Sequence, residues 1–190
     1  MNPYVPDALA LELELSYSSR PMDADKFRDD HIPLGYLITI RAYGTWLHGK
    51  AGSVDRFHNR YGTPKLPANR KRLEYNQRLL VEAPVTLGPR ERRAVELGIQ
   101  ETCEIRKWTL WALNARTNHV HSVVSANCKP KKIATTFKAN ATRKMREAHV
   151  WQSERSPWVG GGGSKRYLWT EKSLSDAIAY VLYDQGEPLD

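Results

Sequence analysis

Two histidines one residue apart, His119 and His121, and a tyrosine four residues before an acid, Tyr180 and Asp184, have types and spacing that could do chemistry. The β-branched content of His119 to Ala126 predicts a strand, where side chains alternate between faces, so both imidazoles project together while Val120 points away. That is half of a metal site on a sheet. Alone the pattern is weak, because a chain with six histidines meets His-x-His by chance in roughly one case in six. The bland alternative is a pair of half-exposed strand histidines satisfied by water.

Tyr180 and Asp184 give the pair a second meaning. They sit on a helix expected from Glu171 to about Gln185, capped by Ser173 or Thr170 and stopped by Gly186, and four-residue spacing puts them on one face. Opposite a histidine pair they would supply an oxygen ligand and a hydroxyl nucleophile, the missing parts of a phosphoryl-transfer centre. A divalent ion there can polarise a phosphodiester and neutralise developing charge. A phenol with a reference pKa of about 10 needs that help. What it gains is a covalent intermediate: attack on a DNA phosphate keeps the bond energy in a phosphotyrosine and frees a 3′-hydroxyl for rejoining. Tyr183 and Tyr167 are rivals, but Tyr183 lies roughly 60° off the face of Tyr180, which makes Tyr180 the candidate nucleophile.

The elements that must position these groups are legible in outline. Gly35 to Tyr43 reads as the first core strand, Arg70 to Glu82 as a short helix stopped by Pro84, and Pro89 opens a helix to about Arg106. Trp108 to Asn114 is a strand, Ala115 to Asn118 a turn, and His119 to Ala126 the returning strand, so one hairpin delivers both histidines. Lys129 to Ala148 is a basic helix with Ile133, Phe137, Ala141 and Met145 as its buried stripe. Few acids balance it, with Glu147 alone nearby, so Lys131, Lys132, Lys138, Arg143 and Lys144 are expected to contact phosphate; a solvated helix face is the alternative. Arg116 and Asn118, in the turn before the histidines, are further candidates for DNA contact.

The domain plan is an amino-terminal appendage over residues 1–32 and a single domain over 33–190. Within that domain, residues 44–69 form a long irregular loop, where Arg56, His58, Arg60 and Lys65 are candidate DNA contacts unless the loop is simply unstructured. A glycine-rich hinge at 160–164 should let the segment after it move relative to the body.

Composition bounds the function. The chain has 190 residues and 41% apolar content, enough for one core, and 29 Lys and Arg against 21 Asp and Glu give a charge of +8 that favours a polyanion. Nucleic acid is the leading partner. No apolar run is long enough to span a membrane and no leader is evident, so a cytoplasmic, nucleoid-associated protein is expected. Cys103 and Cys128 lie in no Cys-x-x-Cys pattern, which indicates neither a zinc ribbon nor a disulfide framework.

Asn118-His119-Val120-His121, then a basic helix, then Tyr180-Val181-Leu182-Tyr183-Asp184 together resemble the single-tyrosine HUH transposases, most closely the REP-associated tyrosine transposases. The likeness spans roughly Gly35 to Gly186. It implies an α+β domain, an antiparallel sheet with helices on one face in a ferredoxin-like or RRM-like arrangement, plus a C-terminal helix carrying the tyrosine. It further implies Mg²⁺ or Mn²⁺ on His119 and His121, and a 5′-phosphotyrosine formed by Tyr180 in single-stranded DNA beside an imperfect hairpin. Relatives carry an amide four residues after the tyrosine; here Asp184 stands there with Gln185 beside it, and Asp184 is taken as the third ligand. The resemblance admits a monomer or a homodimer. A hairpin-binding protein of the same ancestry that no longer cuts is the main alternative, and an RNA-binding module using the sheet face is the other.

Overall fold

The β-rich, alternating stretches pair into one sheet. The computed structural model describes residues 32–53, 64–161 and 163–186. The expected appendage, all but Ile32, and the candidate contacts Arg56, His58 and Arg60 lie outside the described residues. The strands are β1 (Gly35–Arg41), β2 (Thr109–Ala115), β3 (His119–Ser125) and β4 (Lys165–Leu168); the helices are α1 (Arg70–Arg78), α2 (Pro89–Arg106), α3 (Pro130–Glu147) and α4 (Glu171–Tyr183). The sheet runs β2-β3-β1-β4 with every neighbouring pair antiparallel. Taken with α2 and α3, this is a β-α-β-β-α-β frame of the ferredoxin-like kind.

Each long helix begins where the chain supplies a start signal. Pro89 and Pro130 open α2 and α3, each after an extended residue, and left-handed Lys107 closes α2. Thr170 caps α4 in a reciprocal box with Ser173, whose backbone N–H donates to the threonine hydroxyl at 3.1 Å. Helix α1 ends at Arg78, a turn short of the expected Glu82.

Alternation along β1 and β3 divides the core between the two sheet faces. Tyr36, Ile38, Ile40, Val120 and Val124 face α2 and α3, packing with Val95, Ile99 and the α3 stripe of Ile133, Phe137, Ala141 and Met145. Leu37 and Val123 face the other way, against Leu174, Ala177 and Val181 of α4. Burial drives both layers, and the first is much the larger. Thr39, Arg41, His119 and His121 have the strand parity of the second face, so α4 and the histidines share one side of the sheet.

The edge strand β4 was not foreseen. Its four residues pair with Gly35 to Ile38 directly after the glycine run. Within that run Gly160 and Gly161 have open space around them, but Gly163, at φ +105°, lies against β1: a Cβ there would come 1.9 Å from the Thr39 carbonyl oxygen. Beyond it Ser164 O accepts from Thr39 N at 2.9 Å. The segment after the glycines is therefore held to the sheet before α4 begins, which differs from the free hinge expected over 160–164. The linker of α4 itself is Trp169 and Thr170.

Gly163→Ala is expected to lower unfolding free energy by about 3 kcal/mol, because a Cβ meets backbone and the dihedral excludes L side chains. Gly161→Ala, at φ +66° in open space, should cost only about 1 kcal/mol. Urea denaturation of both variants checks the contrast; equal losses would mean that Gly163 does not anchor the strand.

Candidate active site

The site begins with β3. His119 and His121 stand on one face with their ring centroids 4.6 Å apart, and His121 meets Tyr180 of α4 at 5.4 Å between ring centroids. Both imidazoles are oriented from behind: Nδ1 of His121 lies 2.9 Å from Thr39 Oγ1, and Nδ1 of His119 lies 2.6 Å from Asn118 Oδ1. The Thr39 hydroxyl in turn accepts from Ser164 Oγ at 3.2 Å. Such outer partners fix the ring and choose the nitrogen that remains for another bond.

Electrostatics keep these rings uncharged near neutrality. Burial pushes His121 down to about 4, with His119 and Arg41 adding to the effect. Burial also lowers His119, opposed by a hydrogen bond that the ring donates to the Gln185 side chain and reinforced by Arg116 and Arg41. A neutral imidazole is the form that binds a cation through nitrogen.

Tyr180 is positioned by the buried Leu174, Ala177 and Val181 beside it on α4 and by Asn114, whose Nδ2 donates to Val181 O at 3.1 Å. It is 39% exposed and faces His121, whereas Tyr183 is 69% exposed. Tyr167 pairs with Tyr36 on the α2 and α3 side, so the sheet separates it from the histidines.

Asp184 does not join the pair. Among the described residues no group of three or more His, Cys, Asp and Glu side chains converges. Helix α4 ends at Tyr183, and Asp184 is its C-cap, at φ −99° and ψ 20°, with its N–H still bonded to Tyr180 O at 3.2 Å. Gln185 reaches back instead, donating from Nε2 to Tyr180 O at 2.8 Å while its side chain also hydrogen-bonds His119. The Tyr180 carbonyl, which also accepts the Asp184 N–H at 3.2 Å, thus holds the Gln185 amide beside the histidines.

The other expected contacts are distributed unevenly. Arg116 lies close enough to lower His119, and Asn118 touches it. Lys131, Lys132, Lys138, Arg143 and Lys144 ride on α3, which packs on the opposite face of the sheet. The expected shortage of balancing acids does not hold: Glu101 of α2 meets Arg143 at 2.6 Å and Lys144 at 3.3 Å, and Glu147 pairs with both. Lys138 donates to Val159 O at 2.7 Å, and Lys131 and Lys132 are exposed. Thr39, Arg41 and Asn114 were missed, although polar residues at every second position of apolar β1 are a readable sign for the first two.

A family model for IS200-like transposases matches residues 85–179, half of the chain, a segment that includes both histidines and stops one residue before Tyr180. Among solved structures, the chain is similar to a REP-associated tyrosine transposase bound to a REP hairpin. That match has 11% identity and a TM-score of 0.45, and covers 84% of this chain and 70% of that one. No curated protein sequence matches it significantly.

Proposed function

The chain belongs to the IS200-like transposases, and from that premise we propose that it is a metal-dependent single-stranded DNA endonuclease and strand transferase with Tyr180 as nucleophile. One observation carries the reading: His119, His121 and Tyr180 meet at one place on the sheet face, from elements far apart in sequence.

Two imidazoles with their Nδ1 atoms engaged from behind, and an amide beside them, make a donor set that fits a divalent cation, Mg²⁺ or Mn²⁺. His119, His121 and the Gln185 amide would hold it, and when bound it supplies Lewis-acid stabilisation of phosphate charge. Thr39 and Asn118 keep the rings in register for that role, and Arg116 adds positive charge at the same end. Tyr180 Oη attacks phosphorus, the bond to the 3′-oxygen breaks, and that oxygen takes a proton as the phenol loses one. The product is a 5′-phosphotyrosine and a free 3′-hydroxyl, and the reverse attack by another 3′-hydroxyl rejoins DNA. The substrate is proposed to be single-stranded DNA at or near a hairpin, with Arg116 and Asn118 contacting it beside the centre and Lys131 and Lys132 contacting phosphates on the other side. The protein is proposed to work in the cytoplasm at the nucleoid.

The test is a covalent adduct. Hairpin-bearing single-stranded DNA labelled at its 3′ end and incubated with Mn²⁺ should give a band of protein mobility on a denaturing gel. Hairpin binding with no adduct would make the chain a non-cutting DNA binder. The third ligand is tested by Mn²⁺ titration: Gln185→Ala should weaken binding about ten-fold or more, while Asp184→Ala should change it by less than about two-fold. The reverse order would return the role to the acid.

A further inference from the structure

Beside the histidines lies a cavity of about 230 Å³ lined by Arg41, Thr45, Trp46, Lys50, Ser53 and Asn118 among others. It is below the roughly 300–1,000 Å³ of sites for drug-sized ligands and suits a single small unit. Its chemistry is cationic, aromatic and donor-rich, with no carboxylate among the described residues that line it. The Arg41 guanidinium lies over the Trp46 ring at 4.2 Å from its centroid. Trp46 is 49% exposed, unusually open for a residue of its size. Arg41 Nε and Ser53 Oγ are both buried with no hydrogen-bond partner among the described residues.

The cavity also has a fixed relation to the site. Arg41 pairs with His119 across β1 and β3, and Asn118 lines the cavity while its Oδ1 contacts His119. The cavity and the histidine site therefore share Asn118 as a common wall.

We propose that this cavity is a nucleotide subsite, holding the nucleotide next to the scissile phosphodiester with Arg41 on its phosphate and Trp46 as the stacking surface for its base. The proposal rests on the strand-transferase reading for its substrate class. A planar guanidinium suits phosphate, and an indole face accepts any base, so the subsite positions a strand without reading its sequence. Arg41 and Trp46 are positioning residues: they set where the strand lies relative to Tyr180.

The experiment is fluorescence anisotropy of labelled oligothymidylate on the full chain, in EDTA and in a Tyr180→Phe background so that no chemistry intervenes. Trp46→Ala should weaken binding about ten-fold, and Trp46→Phe should restore most of it. Arg41→Gln should reduce the slope of log affinity against log salt by about 0.7, with Arg41→Lys restoring it. On an oligonucleotide of the same backbone lacking bases, the Trp46→Ala loss should vanish and the Arg41→Gln loss should persist. Binding indifferent to both positions, or an equal Trp46→Ala loss on the baseless strand, overturns the subsite. Thymidine 5′-monophosphate displacing the strand at equal concentration would reassign the cavity to free nucleotides and also overturn it. No single-strand binding at all would instead remove the substrate class on which the proposal rests.

Discussion

A Tyr180→Phe protein should bind hairpin-bearing single-stranded DNA as tightly as the parent and form no covalent adduct, a loss of at least about 10³-fold in rate. The substitution deletes one oxygen. The ring that meets His121 at 5.4 Å remains, and α4 is held by Leu174, Ala177, Val181 and the bond from Asn114, none of which involves the phenol oxygen. Stability should therefore stay within about 0.5 kcal/mol, because Tyr180 is partly exposed. The rivals are poorly placed to substitute: Tyr183 is 69% exposed, and Tyr167 lies across the sheet. Denaturing gels and anisotropy on the same preparation separate chemistry from binding. An undiminished adduct would refute the assignment of the nucleophile and require mapping of the attached peptide.

His121→Ala is expected to abolish adduct formation and saturable Mn²⁺ binding together. His121 is buried, contacts both His119 and Tyr180, and has only its Nδ1 taken by Thr39. Truncation also leaves the Thr39 hydroxyl short of a partner, at about 1–2 kcal/mol of stability, so folding should be checked by circular dichroism. The decisive readout is calorimetric titration with Mn²⁺, in which the parent should give a heat of binding that the variant lacks. Adduct formation by the parent in EDTA would sink the metal-dependent reading even if His121→Ala were inactive.

What was legible in the sequence, and what was not, follows from how far each signal reaches. The α3 stripe was legible because Ile133, Phe137, Ala141 and Met145 repeat at the helical period on one short stretch, and all four are buried. The hairpin bearing the histidines was legible because alternation and a turn are local. Strand β4 was not, because Lys165, Arg166 and Tyr167 carry no apolar alternation and become a strand only by completing the edge of β1. The charge balance of α3 escaped for a related reason: Glu101 pairs with Arg143 across 42 residues of sequence, and a count of neighbouring acids finds Glu147 alone. Asp184 was legible only as a residue four positions after Tyr180, whereas the placement of the Gln185 amide against Tyr180 O and His119 depends on how the chain leaves α4 after Tyr183.

On the proposed mechanism the two-residue link between β4 and α4 would be the pivot of a crank once α4 is released from the sheet. Tyr180 lies ten residues beyond Thr170, and at about 1.5 Å per residue the helix is an arm of roughly 15 Å. On the proposed mechanism the 5′ end of the cut strand is bolted to that arm. It would then swing away from the freed 3′-hydroxyl and toward another only along an arc of that radius, with β4 and the histidines keeping their places. The reach of any rejoining within one protomer is then a length set by one helix, and a more distant exchange requires a second arm.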